Sequence, residues 1–485
     1  MTTPETGIRT PEEREQMRQK VYNAPLESLD PGDPGGFESG EMWLKFERLR
    51  SEDPVHFTPG DQTVYGPYWS VTRWDDIVAI DSNHEVFSNE ASIMLRRPRG
   101  ADEEVNLPFA DGGNLSEEEI KQYEERGLQS LLSMDPPDHE VHRNAVSMGV
   151  SPARLTSIEP LIRERAGQIL DGLPIGEEFD WHDQVSMELT AMTLATLFDF
   201  PQADRRKLTY WSDVAVCTPG PGQIVQTREE QMDVLREFFT SLAGMFMERA
   251  GKDPQPDFLS LMAHSPHAKE FTPAELFGDI AVLLVGGNDT TRNTISGSVY
   301  ALNTRPEEYD KLRADHSLIP SMVSETIRWQ TPLAHMMRKT TRDVEVAGKL
   351  IPEGDRLALW YVSGNRDETK IDRPNDYIID RKNARRHMSF GFGIHRCLGN
   401  RLAEMQLKII WEEILQRFPD IQVLRPPGSR TTASPRGTRI CTSSSRGVHE
   451  EPDARHPARR RARSSDAQRH RHEHRGRLTC PSRPW

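Results

Sequence analysis

Cys397 lies in SFGFGIHRCLGNRLAEMQ, residues 389–406, with Phe390, Gly393 and Gly399 completing the pattern FxxGxxxCxG. A lone buried cysteine is most often a small hydrophobe. This one follows a glycine-rich, basic loop and opens an amphipathic segment, a setting that suits a thiolate. Backbone N–H groups and a helix N-terminus stabilise negative charge on sulfur. Glycines in the loop, Gly391 and Gly399 among them, let backbone approach a flat cofactor closely. A thiolate on iron pushes electron density onto the metal and favours O–O cleavage. Hydrogen bonds from the loop would tune that push.

Other groups able to do chemistry are spread along the chain. GGNDTT, residues 286–291, interrupts an apolar stretch with two glycines, an acid and two alcohols. Asp-Thr-Thr could be a cap or a solvated turn. Its apolar flanks argue against both, because burying Asp289 unpaired is costly. Two adjacent glycines weaken a helix locally, and Thr290 can exchange hydrogen bonds in that turn. Glu325 and Arg328 are three apart in ETIR. His139 and Arg143, four apart, share one helix face. Taken singly, each of these charged residues reads as an ordinary surface group.

The elements that must hold these groups read as mainly helical. Three-and-four spacing of apolar residues marks helices in LIRERAGQILDGL, QVSMELTAMTLATLFDF and MDVLREFFTSLAGMFMERA. Thr272, Pro273 and Glu275 start a long central helix. It runs through LFGDIAVLLVGGNDTTRNTISGSVYAL. SLIPSMVSETIRWQ is a further helix before Pro332, and NRLAEMQLKIIWEEILQRF is the last, ending at Pro419. GPYWSV alternates like a strand, and short strands cluster late in DVEVAG, KLIPEG and DRLALWYVS. The expected class is mainly α with a small β part.

The 485 residues carry a net charge of −14, which argues against a nucleic-acid partner. No apolar run reaches the roughly 20 residues of a membrane span. The polar N-terminus has no signal core. Cys217, Cys397, Cys441 and Cys480 are scattered and make no disulfide framework. A cytoplasmic, monomeric protein is expected. Composition divides the chain into a loose arm (1–40), one main domain (41–424) and an Arg-rich tail (425–485). The tail holds fifteen arginines and no lysine. Lacking apolar periodicity, it cannot offset its ordering entropy and is expected to be disordered.

The cysteine loop resembles the haem-binding signature of the cytochrome P450 superfamily. Further matches follow in that family's order across residues 40–424. GGNDTT resembles the oxygen-activating stretch of the central helix, and ETIR, residues 325–328, the family's ExxR. RPNDYIIDR, residues 373–381, resembles the segment whose Arg381 completes a Glu325–Arg328–Arg381 cluster. SMDPPDHEVHRNAV, residues 133–146, resembles DPPxHxxxR. The resemblance implies the P450 fold, its long helix over haem b, with Cys397 as axial metal ligand on the proximal side. It implies that Phe390, Gly391 and Gly399 shape the haem loop, and that His139, Arg143, Arg338 and His395 grip the propionates. It further implies that Gly286 and Gly287 make room for O2, that Thr290 holds dioxygen and that Asp289 relays protons. The Glu-Arg-Arg cluster is then structural.

Longer stretches, among them LLVGGNDTTRNTISG and IPSMVSETIRWQTPLAHMMRKTTRDVEVAGK, look like the bacterial alkane-hydroxylating members. The implied reaction inserts one O2 oxygen into a terminal C–H bond of a medium-chain n-alkane or related alkyl chain. Fatty acids, branched lipids and steroid side chains are the alternative. A primary C–H bond is the hardest in a chain to oxidise, so terminal attack needs a narrow channel presenting the end carbon. Leu284, Val285, Leu333, Ala334 and Met336 are expected to line it, and residues 87–132 to cover its mouth. A non-catalytic haem-thiolate binder, or a peroxygenase fed by H2O2, would not need the Asp289–Thr290 pair. The sequence holds no flavin, nicotinamide or four-cysteine cluster pattern. Electrons from NAD(P)H would therefore come through a ferredoxin reductase and a ferredoxin. Arg381, Lys382, Arg385, Arg386 and Arg396 would form its basic docking patch. The family's closing hairpin, roughly FxxGYxxLPV, is missing after Leu424. A one-nucleotide shift near Pro427 lets the codons of Gly437 to Ser444 read Gly-Tyr-Ala-Asp-Leu-His-Glu-Leu. A natural basic tail that binds anions is one reading; a frameshift product is the preferred expectation.

Overall fold

The computed structural model describes residues 10–90, 92–97, 129–418, 420–428 and 439–443. Helices α1 (Pro11–Asn23), α2 (Pro34–Ser39) and α3 (Met42–Glu52) come first. They correct the expected loose arm. Thr10 and Glu13 form a capping box on α1, and Val21, Leu29 and Phe37 are buried. Arg48 Nη1 donates to the Val21 and Ala24 carbonyls at 2.8 and 2.7 Å. Pro and Gly here serve caps and turns, which composition cannot tell from disorder.

Strands β1 (Val55–Thr58) and β2 (Tyr68–Val71) precede α4 (Trp74–Asp81) and β3 (Phe87–Ser88). Then come α5 (Asp138–Ser147), α6 (Pro152–Asp171), β4 (Glu178–Asp180), α7 (Glu188–Leu197), α8 (Arg205–Val216), α9 (Arg228–Ala250) and α10 (Phe258–Ala263). The central helix is α11 (Pro273–Asn303), followed by α12 (Pro306–Ala314) and α13 (Ile319–Gln330). The chain continues through β5 (Met336–Thr340), β6 (Val344–Val346), β7 (Lys349–Ile351), β8 (Arg356–Leu359) and α14 (Tyr361–Gly364). Helix α15 (Asn400–Arg417) and strands β9 (Gln422–Gly428) and β10 (Arg439–Ser443) come last.

Helix α11 is the spine. Thr272 and Glu275 cap it reciprocally, with Pro273 in its first turn. It runs 31 residues without a break at Gly286–Gly287, so packing outweighs the local weakness of two glycines. Helices α7, α8, α13 and α15 pack on it, and its residues Ile280, Leu284, Ile295 and Val299 join the main core. A π-helical turn, His182–Met187, leads into α7, and Ser186 Oγ meets Ser296 Oγ of α11 at 2.8 Å.

The larger sheet has the order β1-β2-β8-β5-β3. Strands β2 and β8 are parallel, while β5 runs antiparallel to β8 with Met336 opposite Leu359. Strands β6 and β7 form a hairpin through Ala347 and Gly348, both at positive φ, the two-residue turn that matches strand twist. Strand β10 pairs with both β9 and β4, placing Cys441 opposite Asp180. Residues 425–428 and 439–443 of the expected disordered tail are therefore strands. Ladder bonds use backbone groups that every residue but proline supplies in full, so an Arg-rich composition does not report on them. The rest of the tail lies outside the described residues.

Of the stretch expected to cover the channel mouth, residues 91 and 98–128 lie outside the described residues. Both flanks are anchored. Asn89 donates to the Leu132 carbonyl at 2.9 Å and to Asp135 at 3.0 Å. The Leu131 N–H donates to Asp279 of α11 at 2.7 Å. Among the described residues no helix is long and apolar enough to cross a membrane.

Candidate active site

Between α14 and α15 the chain makes an irregular loop that turns at Gly391 and Gly393, each with φ +65°. The Cys397 N–H donates to the Phe390 carbonyl at 2.8 Å and closes the loop. Protein surrounds the sulfur, and burial pushes its thiol above the ordinary value. The Gly399 N–H and the charges of Arg143 and Arg396 act in the opposite direction. The side chain nevertheless keeps accessible area, so its free face opens onto an internal space.

Within the buried spine, Gly286 is exposed and Thr290, one turn on, is half-buried. A Cβ on Gly286 would meet nothing within 4 Å. Gly287 differs, because a Cβ there would lie 2.8 Å from Leu194 Cδ2. This glycine therefore lies against α7, where it leaves room for the Leu194 side chain. The Thr290 hydroxyl donates to the Gly286 carbonyl at 2.9 Å. Asp289 is buried and paired with Arg292, whose Nε lies 3.1 Å from Oδ1. Arg292 also reaches Asp213 of α8. Burial disfavours the Arg292 charge, but the two carboxylates push its guanidinium above the ordinary value.

The residues present fit a haem. His139 and His395 stack with ring centroids 4.3 Å apart. All four ring nitrogens are buried without a hydrogen-bond partner among the described residues. Burial holds both imidazoles neutral, His139 at about 4 and His395 at about 2. Orphaned donors of this kind cost free energy unless an acceptor completes them, and a carboxylate is such an acceptor. Arg143 Nη2 donates to the Arg396 carbonyl at 2.7 Å, and its charge reaches Cys397. Arg338 is buried, donates to the Met337 carbonyl at 2.6 Å and forms an ion pair with Asp81. A cysteine sulfur, two neutral imidazoles and two guanidiniums match a metal in a flat macrocycle with anionic substituents.

Glu325, Arg328 and Arg381 come together. Arg328 grips the Glu325 carboxylate through Nε and Nη2 at 2.8 and 2.7 Å. Arg381 Nε adds a bond of 3.0 Å and the Ile378 N–H one of 2.9 Å. The guanidiniums also bond the carbonyls of Asn365, Pro374 and Asp376. Arg381 is thus committed to the cluster and does not belong to the basic patch expected on the surface. Lys382, Arg385, Arg386 and Arg396 are exposed.

The expected channel residues separate. Val285 and Leu333 are half-buried. Leu284 is wholly inside the main core, and Ala334 packs with Phe37, Phe46 and Trp360. Both are corrected to core positions. Met336 packs with Trp74, Ile77 and Met388. Leu333 and Met336 belong to one apolar cluster, and Ala334 and Met337 to another.

Sequence reasoning missed three acceptors and donors: Asp81, Asp213 and Arg292. Two carried a signal. Arg292 is three residues after Asp289, a helix pairing distance. Asp81 falls on the same helical stripe as the buried Trp74 and Ile77.

Residues 175–432 match the family described as Cytochrome P450. Linalool 8-monooxygenase of Pseudomonas putida is 32% identical over 385 residues, 77% of this chain and 87% of that one. Methyl-branched lipid omega-hydroxylase of Mycobacterium bovis is 26% identical over 79% of this chain and 86% of its own. The structure of Cytochrome P450-153 from Novosphingobium aromaticivorans aligns with TM-score 0.75 and 36% identity, covering 86% of this chain and 99% of that one. The chain belongs to the cytochrome P450 family and is a monooxygenase of that family.

Replacing Glu325 by Gln leaves two buried guanidiniums short of their counter-charge. Breaking a buried pair in this way costs about 3–5 kcal/mol. Thermal denaturation should show a large fall in stability, and haem absorbance per protein should drop with it. A variant with wild-type melting and full haem would show that the cluster does not lock the fold.

Proposed function

We propose that this P450 hydroxylates the terminal carbon of medium-chain n-alkanes or related alkyl chains. It uses haem b, O2 and electrons from NAD(P)H delivered by a ferredoxin reductase and a ferredoxin, as a cytoplasmic monomer. The observation that carries the reading is the Gly286–Thr290 turn. It is accessible inside a largely buried helix, and the half-buried candidates Val285, next to it in the chain, and Leu333 are apolar. Likeness of the central-helix and cysteine-loop sequences to alkane-hydroxylating P450s supports the substrate class. A second reading, end-of-chain hydroxylation of a branched lipid, is favoured by the relative named methyl-branched lipid omega-hydroxylase.

Haem, when bound, supplies the activation of O2 and the oxidation of the C–H bond. His139, Arg143, Arg338 and His395 would hold its carboxylates, and Cys397 its metal. Thr290 holds a proton at Oγ1, resting on the Gly286 carbonyl. Rotation about χ1 turns that proton toward the accessible side of the helix. Asp289, kept ready by Arg292, is the acid that resupplies protons. Apolar side chains around the turn orient an alkyl chain and exclude bulk water, so that only its end carbon reaches the oxidant.

Reduced holoprotein exposed to carbon monoxide should show the red-shifted Soret band that thiolate ligation gives, and Cys397→Ser should lose it. Retention of that band in the serine variant would sink the assignment.

Thr290→Ala should consume NAD(P)H with several-fold less hydroxylated product per reductant oxidised. Tightly coupled turnover in that variant would contradict the proton-handling role.

The first electron-transfer rate should fall as salt is raised, because exposed charges are screened beyond about 8–10 Å near physiological ionic strength. Arg385→Glu combined with Arg386→Glu should slow it further at low salt. A rate indifferent to salt and to both changes would rule out basic docking.

A further inference from the structure

We propose that Asp81 is a positioning residue for the cofactor: its buried carboxylate ties Arg338 to the cysteine loop and screens that arginine's charge, holding the haem reduction potential low. The inference rests on the haem-thiolate reading of the same site.

Asp81 ends α4, and its residue exposure is 4%. Three donors from three different elements converge on it. Arg338 of β5 forms the ion pair. The Tyr361 hydroxyl of α14 donates at 2.9 Å, and the Phe392 N–H of the cysteine loop donates at 2.7 Å. Burial and the Asp81 charge push the Tyr361 phenol well above its ordinary value, so its proton stays in place and points at the carboxylate.

The loop is pressed against this carboxylate. A Cβ on Gly393 would stand 2.5 Å from the Asp81 carbonyl oxygen. One on Gly391 would stand 3.2 Å from the Tyr361 hydroxyl and 3.3 Å from Asp81 Oδ2. Both glycines also hold positive φ, so no other residue fits without strain. The chain has therefore fixed the distance between the cysteine loop and Asp81.

The charge follows the same geometry. Arg338 pairs with the carboxylate that also accepts from the Phe392 N–H, five residues before Cys397. Its unscreened field would favour adding an electron at the cofactor. A paired Asp81 turns that monopole into a dipole, whose field falls off faster with distance. Removing the negative member restores the attraction for an electron.

The test is a spectroelectrochemical titration of purified holoprotein. Asp81→Asn should keep the thiolate-type carbonyl band and move the ferric–ferrous midpoint to more positive potential. The expected size is on the order of tenfold in the reduced-to-oxidised ratio, about 59 mV for one electron. Tyr361→Phe removes a donor from the same carboxylate and leaves the charge, so it should stay at the wild-type potential. Asp75→Asn, on the exposed side of the same helix, should also stay there. Adding Arg338→Gln to Asp81→Asn should bring the midpoint back toward wild type. A wild-type or more negative midpoint in Asp81→Asn overturns the proposal, as does an equal shift in Tyr361→Phe. If Asp81→Asn holds no haem, Arg338→Gln alone should lower the midpoint and the double variant should recover it; no recovery also overturns the proposal. A wild-type holoprotein without the thiolate band removes the haem-thiolate reading itself, before any variant is made.

Discussion

Burial disfavours the charge that Cys397 would need as a metal ligand, and groups around it offset part of that cost. The Gly399 N–H, Arg143 and Arg396 favour the thiolate, and a bound metal would favour it further. The loop must then bring backbone close to the sulfur while presenting the sulfur inward. Two left-handed glycines give it that path. The elements behind the loop cannot yield, because the Glu325 carboxylate is bonded by Arg328, Arg381 and the Ile378 N–H. The loop thus presents the sulfur, and the Glu325 cluster fixes the elements behind the loop.

The opposite wall is built on another principle. Helix α11 is buried along most of its length, so its polar side chains look to the fold for partners. Ser296 meets Ser186 and Asp289 pairs with Arg292, whereas both polar side-chain atoms of Asn288 are buried without a hydrogen-bond partner among the described residues. Within the stretch 284–290 only Gly286 is exposed. Access to this wall is therefore limited to the turn where the Thr290 hydroxyl rests on the Gly286 carbonyl.

The sequence displayed the parts of this site that rely on local spacing. The cysteine loop, the capped central helix, the His139–Arg143 pair and the late strands are all short-range patterns, and they stand where spacing puts them. What stayed hidden depends on partners far apart in the chain. Asp81 and Arg338 are 257 residues apart, and nothing in either segment names the other. Gly287 read like its neighbour because a sequence does not say which glycine faces Leu194. Ala334 and Leu284 are apolar, and apolar character suits core and channel equally. The first forty residues and the start of the tail misled for a related reason: composition reports side chains, whereas caps and ladders are made by backbone.

Asn89 is fastened to Leu132 and Asp135, and Leu131 to Asp279. Residues 89 and 131–135 are thereby fixed beside each other. For ends held at one place, loop closure costs only about 0.6 kcal/mol more for each doubling of length. A change in the number of residues that join two such points therefore adds little strain to the helix and the strands they are tied to.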